Sequence, residues 1–229
     1  MEVIKNTKKR NLRIFTLSNS LMAFAVGLFG PFYYIFINNL GGSIENFGIA
    51  AGLVVLSGAL VSLFVGKYSD RYGNRRLLQI ANVGFIFSPL PWIFLSNPLL
   101  LIIIPQLFAG VANAALTMGA TNFIYDAVLP RHRPRCAAYT GILVGIGTFL
   151  GALIGGLILE QYHPSNLNSY FFLFSLAALL RLLVAFFYLP KIQEVKPVAR
   201  FPTLDLNILH PVTTVHHDLA WIKKVVSTA

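Results

Sequence analysis

Acidic side chains are scarce in this chain: 8 Asp and Glu among 229 residues, against 18 Lys and Arg. Charged residues of both signs reach only 11%, less than half of the roughly 25% in an average soluble chain. That excludes an ordinary soluble globular domain. Disorder is excluded as well, because it needs few apolar residues and many charges, whereas 56% of this chain is hydrophobic and its mean hydropathy is +0.69. The single cysteine, Cys136, cannot close an internal disulfide or build a thiolate zinc cluster. No catalytic set is present either. His132 and His163 fall in connections on opposite sides, and His210, His216 and His217 lie in the tail without thiolate or carboxylate support. The expectation is no enzyme, no metal site and no cofactor.

What the chain has in abundance is long apolar runs. A bilayer core about 30 Å thick takes about 20 mostly apolar helical residues to cross. Six segments qualify, near residues 12–38, 46–66, 77–96, 98–127, 136–159 and 169–190. The first is too long for the apolar core of a signal peptide, which spans about 7–15 residues. The fold class expected is therefore all-α and integral to a membrane. Residues 1–11 form a short N-terminal segment, 12–190 the transmembrane domain and 191–229 a tail. Pro197, Pro202 and Pro211 break regular structure in that tail. Asp218 to Val226 reads either as a short amphipathic turn on the membrane surface or as part of an unstructured tail.

The connections alternate in character. The first, third and fifth, at 38–45, 96–98 and 160–168, hold no Lys or Arg. The other side collects 17 of the 18 basic residues, including Arg10, Arg13, Lys67, Arg71, Arg75, Arg76, Arg131, Arg133, Arg135 and Lys191. The positive-inside rule then places both termini in the cytoplasm of a multi-pass protein, with the plasma (inner) membrane as the expected location. The same asymmetry accounts for the net charge of +10 without nucleic acid as a partner.

Six spans divide into two sets of three, with Ser96–Pro98 as the joint. Span five carries Gly147, Gly151 and Gly155 on one helix face, with Gly156 beside them, and span two has a sparser set at Gly48, Gly52, Gly58 and Gly66. Small faces let helix backbones approach closely in lipid. Two readings stand for them: packing within one bundle, or seams against another bundle.

The second connection reads Gly66-Lys67-Tyr68-Ser69-Asp70-Arg71-Tyr72-Gly73-Asn74-Arg75-Arg76. A plain solvated turn accounts for Gly73-Asn74 and the cations, but not for an Asp set between a helix end and four cations. Asp70 could face the positive end of a helix, Arg71 could pair with a carboxylate, and Gly66 and Gly73 allow close approach and a tight reversal. The run closely resembles the signature loop of the major facilitator superfamily: Gly, three residues, Asp, Arg or Lys, one residue, Gly, one residue, two basic residues. Asp126-Ala127-Val128-Leu129-Pro130 with Arg133 and Arg135 resembles that family's connection between spans four and five. Gly147 to Gly156 resembles its glycine motif in span five. Two positions depart from the pattern. Ala152 stands where the antiporter branch usually has Pro, and Gln106 stands where many members have Arg. The resemblance therefore carries neither antiport nor proton coupling.

The resemblance covers residues 12–190 and implies two three-helix inverted repeats, making one six-helix half of a fold that normally has two. It implies a transporter that moves a small-molecule substrate by alternating access. A second six-helix half would come from a copy of the chain or from another chain, and the alternative is that the sequence is a fragment of a twelve-helix carrier. In the family's architecture spans two and five lie at the contact between halves, and Asp70, with Gly66, Arg71, Gly73, Arg75 and Arg76, would form a gating loop against the partner half. A reading from another class is a non-transporting membrane scaffold or assembly subunit.

Candidate pathway residues come from polar groups inside the spans. Gln106, Asn113, Thr117 and Thr121 share one face of span four. Amides are costly against lipid, so this face looks into a cavity or a neighbouring helix. Span one adds Asn19, Tyr33 and Tyr34, the tyrosines being equally readable as interfacial belt residues. Pro31 after Gly30 is a candidate kink. Arg181 is the one basic residue inside a span, a functional-site hypothesis by its position. Its alternatives are snorkelling to the interface, pairing with Asp126, and attracting an anionic substrate.

Overall fold

The computed structural model describes residues 2–95, 97–162 and 167–195. All the regular structure among them is helical, and six stretches are long and apolar enough to cross a membrane: Arg10–Asn39, Ile44–Ser69, Asn74–Phe94, Leu99–Ala127, Pro130–Gln161 and Leu167–Lys191. The protein is an all-α, multi-pass membrane protein whose six spans form two inverted sets of three. His163 and residues 196–229, with the Asp218–Val226 segment, lie outside the described residues.

Prolines decide where the spans are continuous. Span one is α1 (Glu2–Phe29), a 3-10 turn at Gly30–Phe32 and α2 (Tyr33–Asn39). Pro31 has no N–H to donate to the preceding turn, and the helix tightens there instead of continuing. Span two is α3 (Ile44–Tyr72). Span three is α4 (Asn74–Phe87) followed by α5 (Leu90–Phe94), split at Ser88-Pro89. Span four is α6 (Pro98–Ala127), which runs unbroken through Pro105. Asn97 caps its start, its side-chain oxygen accepting from Leu99 N at 3.0 Å. Span five is α7 (Arg133–Gln161), entered through a 3-10 turn at Pro130–His132, and span six is α8 (Leu167–Tyr188), ending in a 3-10 turn at Leu189–Lys191. Helix α1 begins at Glu2 rather than near residue 12.

Two seams hold the front of the bundle, α1 against α7 and α6 against α3, while α4 and α8 pack behind α6 and α1. The two seams correspond when the first three spans are exchanged with the last three. In the first seam, a Cβ on Gly147, Gly151 or Gly155 would collide with Ser20 O, Phe24 O and Leu28 O respectively, and one on Gly27 would collide with Thr148 O. The glycine face of span five thus lies inside the half, against span one. In the second seam, a Cβ on Gly110 would collide with Ser57 Oγ and sit 2.6 Å from Val54 O, and one on Gly58 would sit 3.2 Å from Gly110 O. Gly48 and Gly52 of span two meet nothing. The outer faces of α3 and α7 stay open and apolar, with Phe64 72% and Phe149 65% exposed.

The core changes along the membrane normal. At the end free of Lys and Arg it is aromatic: the Phe36 ring lies 5.2 Å from Phe174, 5.5 Å from Tyr170 and 6.1 Å from Trp92. In the middle small residues let helices close up, with Ala81, Ala112 and Ala115 fully buried around Met22 and Phe85. At the basic end Phe15, Leu78, Phe123 and Ile124 surround Ile192, a residue beyond the last span.

Candidate functional site

Two hollows open along α6, and the polar face of that helix lines both. The smaller, about 160 Å³, lies between spans one and four and is walled by Tyr33, Trp92, Gln106, Asn113 and Arg181, among others. The larger, about 620 Å³, lies between α3 and α6 and holds Ser62, Asn113, Thr117, Thr121 and Asn122. Val54 and Asn113 belong to both, so the hollows adjoin. Asn113 and Thr121 satisfy part of their hydrogen-bonding capacity on their own helix, at Ala109 O (2.8 Å) and Thr117 O (2.8 Å). The other sides of these groups are available to a solute.

Tyr33 packs at 5.6 Å from both Trp92 and Phe47, while Tyr34 turns away and stacks edge-on against Phe47 at 4.8 Å. Asn19 is separate from both hollows. It borders a small enclosure with Ser18 and Asn82, and Asn82 donates to Leu78 O at 2.6 Å. Of the eight residues proposed from sequence, the structure gathers Tyr33, Gln106, Asn113, Thr117, Thr121 and Arg181 along the two hollows. It does not bring Asn19 or Tyr34 there.

Arg181 is fully buried, at 0% exposure. It neither snorkels nor pairs with Asp126. Pro89 explains its position. In a continuous helix residue 89 would donate to Phe85 O, and a proline cannot. Arg181 Nη1 supplies the missing bond to Phe85 O at 2.8 Å, donates to Ser88 Oγ at 2.8 Å, and Nη2 reaches Ala25 O at 3.4 Å. The Phe29 ring lies 4.7 Å from the guanidinium carbon and the Phe85 ring 6.0 Å. Every partner is neutral, and Nε has none. Hydrogen bonds from a charged donor are worth about 1.5–3 kcal/mol each, and a desolvated cation–π contact about 2 kcal/mol. Against them stands a desolvation cost of several kcal/mol for a buried ion. The sequence signal that could have located Arg181 was Pro89, which predicts an orphan carbonyl in span three.

The charged loop is tied to α6 by a relay of side chains at the basic end. Asn122 Nδ2 donates to Ser69 Oγ (3.2 Å), Ser69 Oγ to Asn74 Oδ1 (2.6 Å), and Asn74 Nδ2 to Asp126 Oδ2 (2.8 Å). Gly73 turns the chain at φ +90°, a region open to glycine, and ends α3 by donating to Ser69 O at 2.9 Å. Tyr72 lies between Arg71 and Arg76, whose guanidinium carbons are 5.4 and 5.7 Å from its ring. A Cβ on Gly66 would touch Met118 Sδ at 3.7 Å. The Asp70 side chain lies outside the described residues.

Sequence reasoning missed the strap after span six. Ile192 is 2% exposed. The Gln193 backbone and the Asn11 side chain exchange two hydrogen bonds, of 2.7 and 2.9 Å. Glu194 Oε2 accepts from Arg75 N at 2.8 Å, placing a carboxylate at the positive start of α4. Residues 191–195 thereby join the domain that was expected to end at 190.

The profile of the Major Facilitator Superfamily matches residues 15–221. With the fold, this shows that the chain belongs to that family, whose members are membrane transporters rather than enzymes. Among its relatives are the multi-drug resistance efflux pump PmrA of Streptococcus pneumoniae (32% identical over 161 residues, 67% of this chain and 39% of that protein) and multidrug resistance protein 1 of Bacillus subtilis (26% over 158 residues, 68% and 40%). The riboflavin transporter RibZ of Clostridioides difficile is 30% identical over 115 residues, 50% of this chain and 24% of that protein. The chain spans less than half the length of these relatives.

Proposed function

We propose that this chain is one six-helix half of a carrier that moves a small organic solute by alternating access. A second six-helix half, a copy of this chain or another chain, faces its front and closes the hollows between them. The observation that carries this reading is the polar stripe of α6. Gln106, Asn113, Thr117 and Thr121 border open space rather than a neighbouring helix, and polar groups at that depth are costly unless they meet water, a solute or a partner. The relatives' names support an organic solute rather than an inorganic ion. The open apolar faces of α3 and α7 flank the stripe and offer the second half a surface to cover.

In this reading the basic end is cytoplasmic, the membrane is the plasma membrane, and the loop around Asp70 latches the two halves on that side. Rocking of one rigid half against the other exposes the stripe to alternate sides. The hydrogen-bonded relay from Asn122 to Asp126 makes the loop move with α6, so a change at the latch is felt at the stripe.

The test is transport by the purified full chain in liposomes, after its particle mass has been measured by light scattering with detergent subtracted. A mass twice the chain's 25.3 kDa supports self-pairing. Loss of uptake in Gln106→Ala/Asn113→Ala/Thr117→Ala, with normal insertion, supports the pathway, and unchanged uptake rejects it. Asp70→Asn is expected to slow transport without lowering expression.

A further inference from the structure

Arg181 carries a formal positive charge that no described side chain balances. Its contacts are two backbone carbonyls, one serine hydroxyl and two aromatic rings. The described carboxylates are engaged or placed elsewhere. Glu194 binds Arg75 N and Asp126 binds Asn74, both at the basic end. Glu45 lies in the first turn of α3 and Glu160 in the last turn of α7, both at the opposite end. Capping the orphan Phe85 carbonyl needs only a neutral donor, so the cap alone does not account for a cation. That cation also borders the hollow of about 160 Å³, with Gln106 and Asn113 as neutral hydrogen-bonding groups and Tyr33 and Trp92 as aromatic walls.

The geometry points to a substrate class: we infer that this hollow receives the anionic end of a small organic acid, a carboxylate on a body no larger than about one aromatic ring. The inference rests on the transport reading above and names the solute's chemistry. A carboxylate in the hollow gains from a buried cation in a medium that screens it poorly, and Gln106 and Asn113 can donate to its oxygens. A flat ring finds its stacking partners in Tyr33 and Trp92. A cationic solute of the same shape meets like charge and loses its hydration without compensation.

Trp92 is the reporter. The chain holds two tryptophans, Trp92 and Trp221, so Trp221→Phe leaves the cavity indole alone. Three probes of one shape, benzoate, benzyl alcohol and benzylamine, are titrated into this full-length variant in mild detergent, and saturable changes in Trp92 emission are read. Benzoate is expected to bind at least about tenfold more tightly than benzyl alcohol, the scale of one charge-assisted hydrogen bond, and benzylamine most weakly. Arg181→Gln removes the preference, while Arg181→Lys keeps the order of the three probes. Equal affinity for benzoate and benzyl alcohol in the wild-type cavity overturns the inference without any need for an Arg181 variant to fold. A preference that persists in a folded Arg181→Gln overturns it as well. The liposome assay reads separately: charge-selective binding without transport leaves this inference standing and defeats the transport reading, and transport indifferent to solute charge does the reverse.

Discussion

The two front seams of this half occupy equivalent places and are packed in different ways. Between α1 and α7, Gly27, Gly147, Gly151 and Gly155 bring the backbones together over two turns of helix. Between α6 and α3 the closest approach is at one crossing, Gly110 with Gly58. Both seams open toward the basic end. The α1–α7 opening, about 310 Å³, is mainly apolar, with Leu12, Leu17, Tyr139 and Leu143 around Thr16, Thr140 and Cys136. The α3–α6 opening is twice as large and carries the asparagines and threonines. The same arrangement of helices therefore produces a rigid apolar seam on one side and a roomy polar one on the other. Backbone closeness is set by glycine spacing, and the chemistry of the opening by which face of α6 carries amides.

The largest effect that breaks this contrast is expected at the tight seam. Gly151→Leu drives a side chain into the Phe24 carbonyl, which cannot move without its helix. A loss of folded, monodisperse protein is expected, on the order of 3 kcal/mol or more. Gly145→Leu, on the open face of the same helix where a Cβ meets nothing, is expected to purify normally. Next in size is Ile192→Asp, which places an unpaired charge among Phe15, Leu78 and Phe123. A cost of about 3 kcal/mol is expected from the buried charge, read as a lower midpoint in thermal unfolding. Glu194→Ala removes the carboxylate from the start of α4. It is expected to cost about 1 kcal/mol, with faster proteolysis near residue 195 as the visible sign. Smallest in stability is Thr117→Val in the polar opening, within about 0.5 kcal/mol by the rule for open positions. Its effect is expected in transport instead, and a Thr140→Val change in the apolar opening of the other seam is expected to leave transport alone.

The spans were legible because bilayer thickness imposes a length and a hydropathy on any helix that crosses it, and the charged loop was legible because its pattern sits between spans two and three. The polar stripe was legible for a similar reason: an amide inside an apolar run is conspicuous. Tyr34 and Asn19 were not separable from the hollow by sequence. Whether a span-one side chain faces inward depends on the 3-10 turn at Gly30–Phe32, which rotates everything after it. Ser62 and Asn122 gave no sign of lining the larger opening, since each is ordinary in its own helix and gains meaning only from its neighbour. The glycines of span five announced close packing without naming the partner, and the partner proved to be α1.

Sequence alone determined the class of molecule, the number of spans, their sidedness of charge and the family, because those follow from composition and from patterns along one chain. Tertiary structure decided which carbonyl Arg181 caps, that no carboxylate meets it, and that residues 191–195 strap the basic end. Each of these depends on groups about 96 to 182 positions apart, whose meeting is set by helix packing, and local sequence carries no record of that distance.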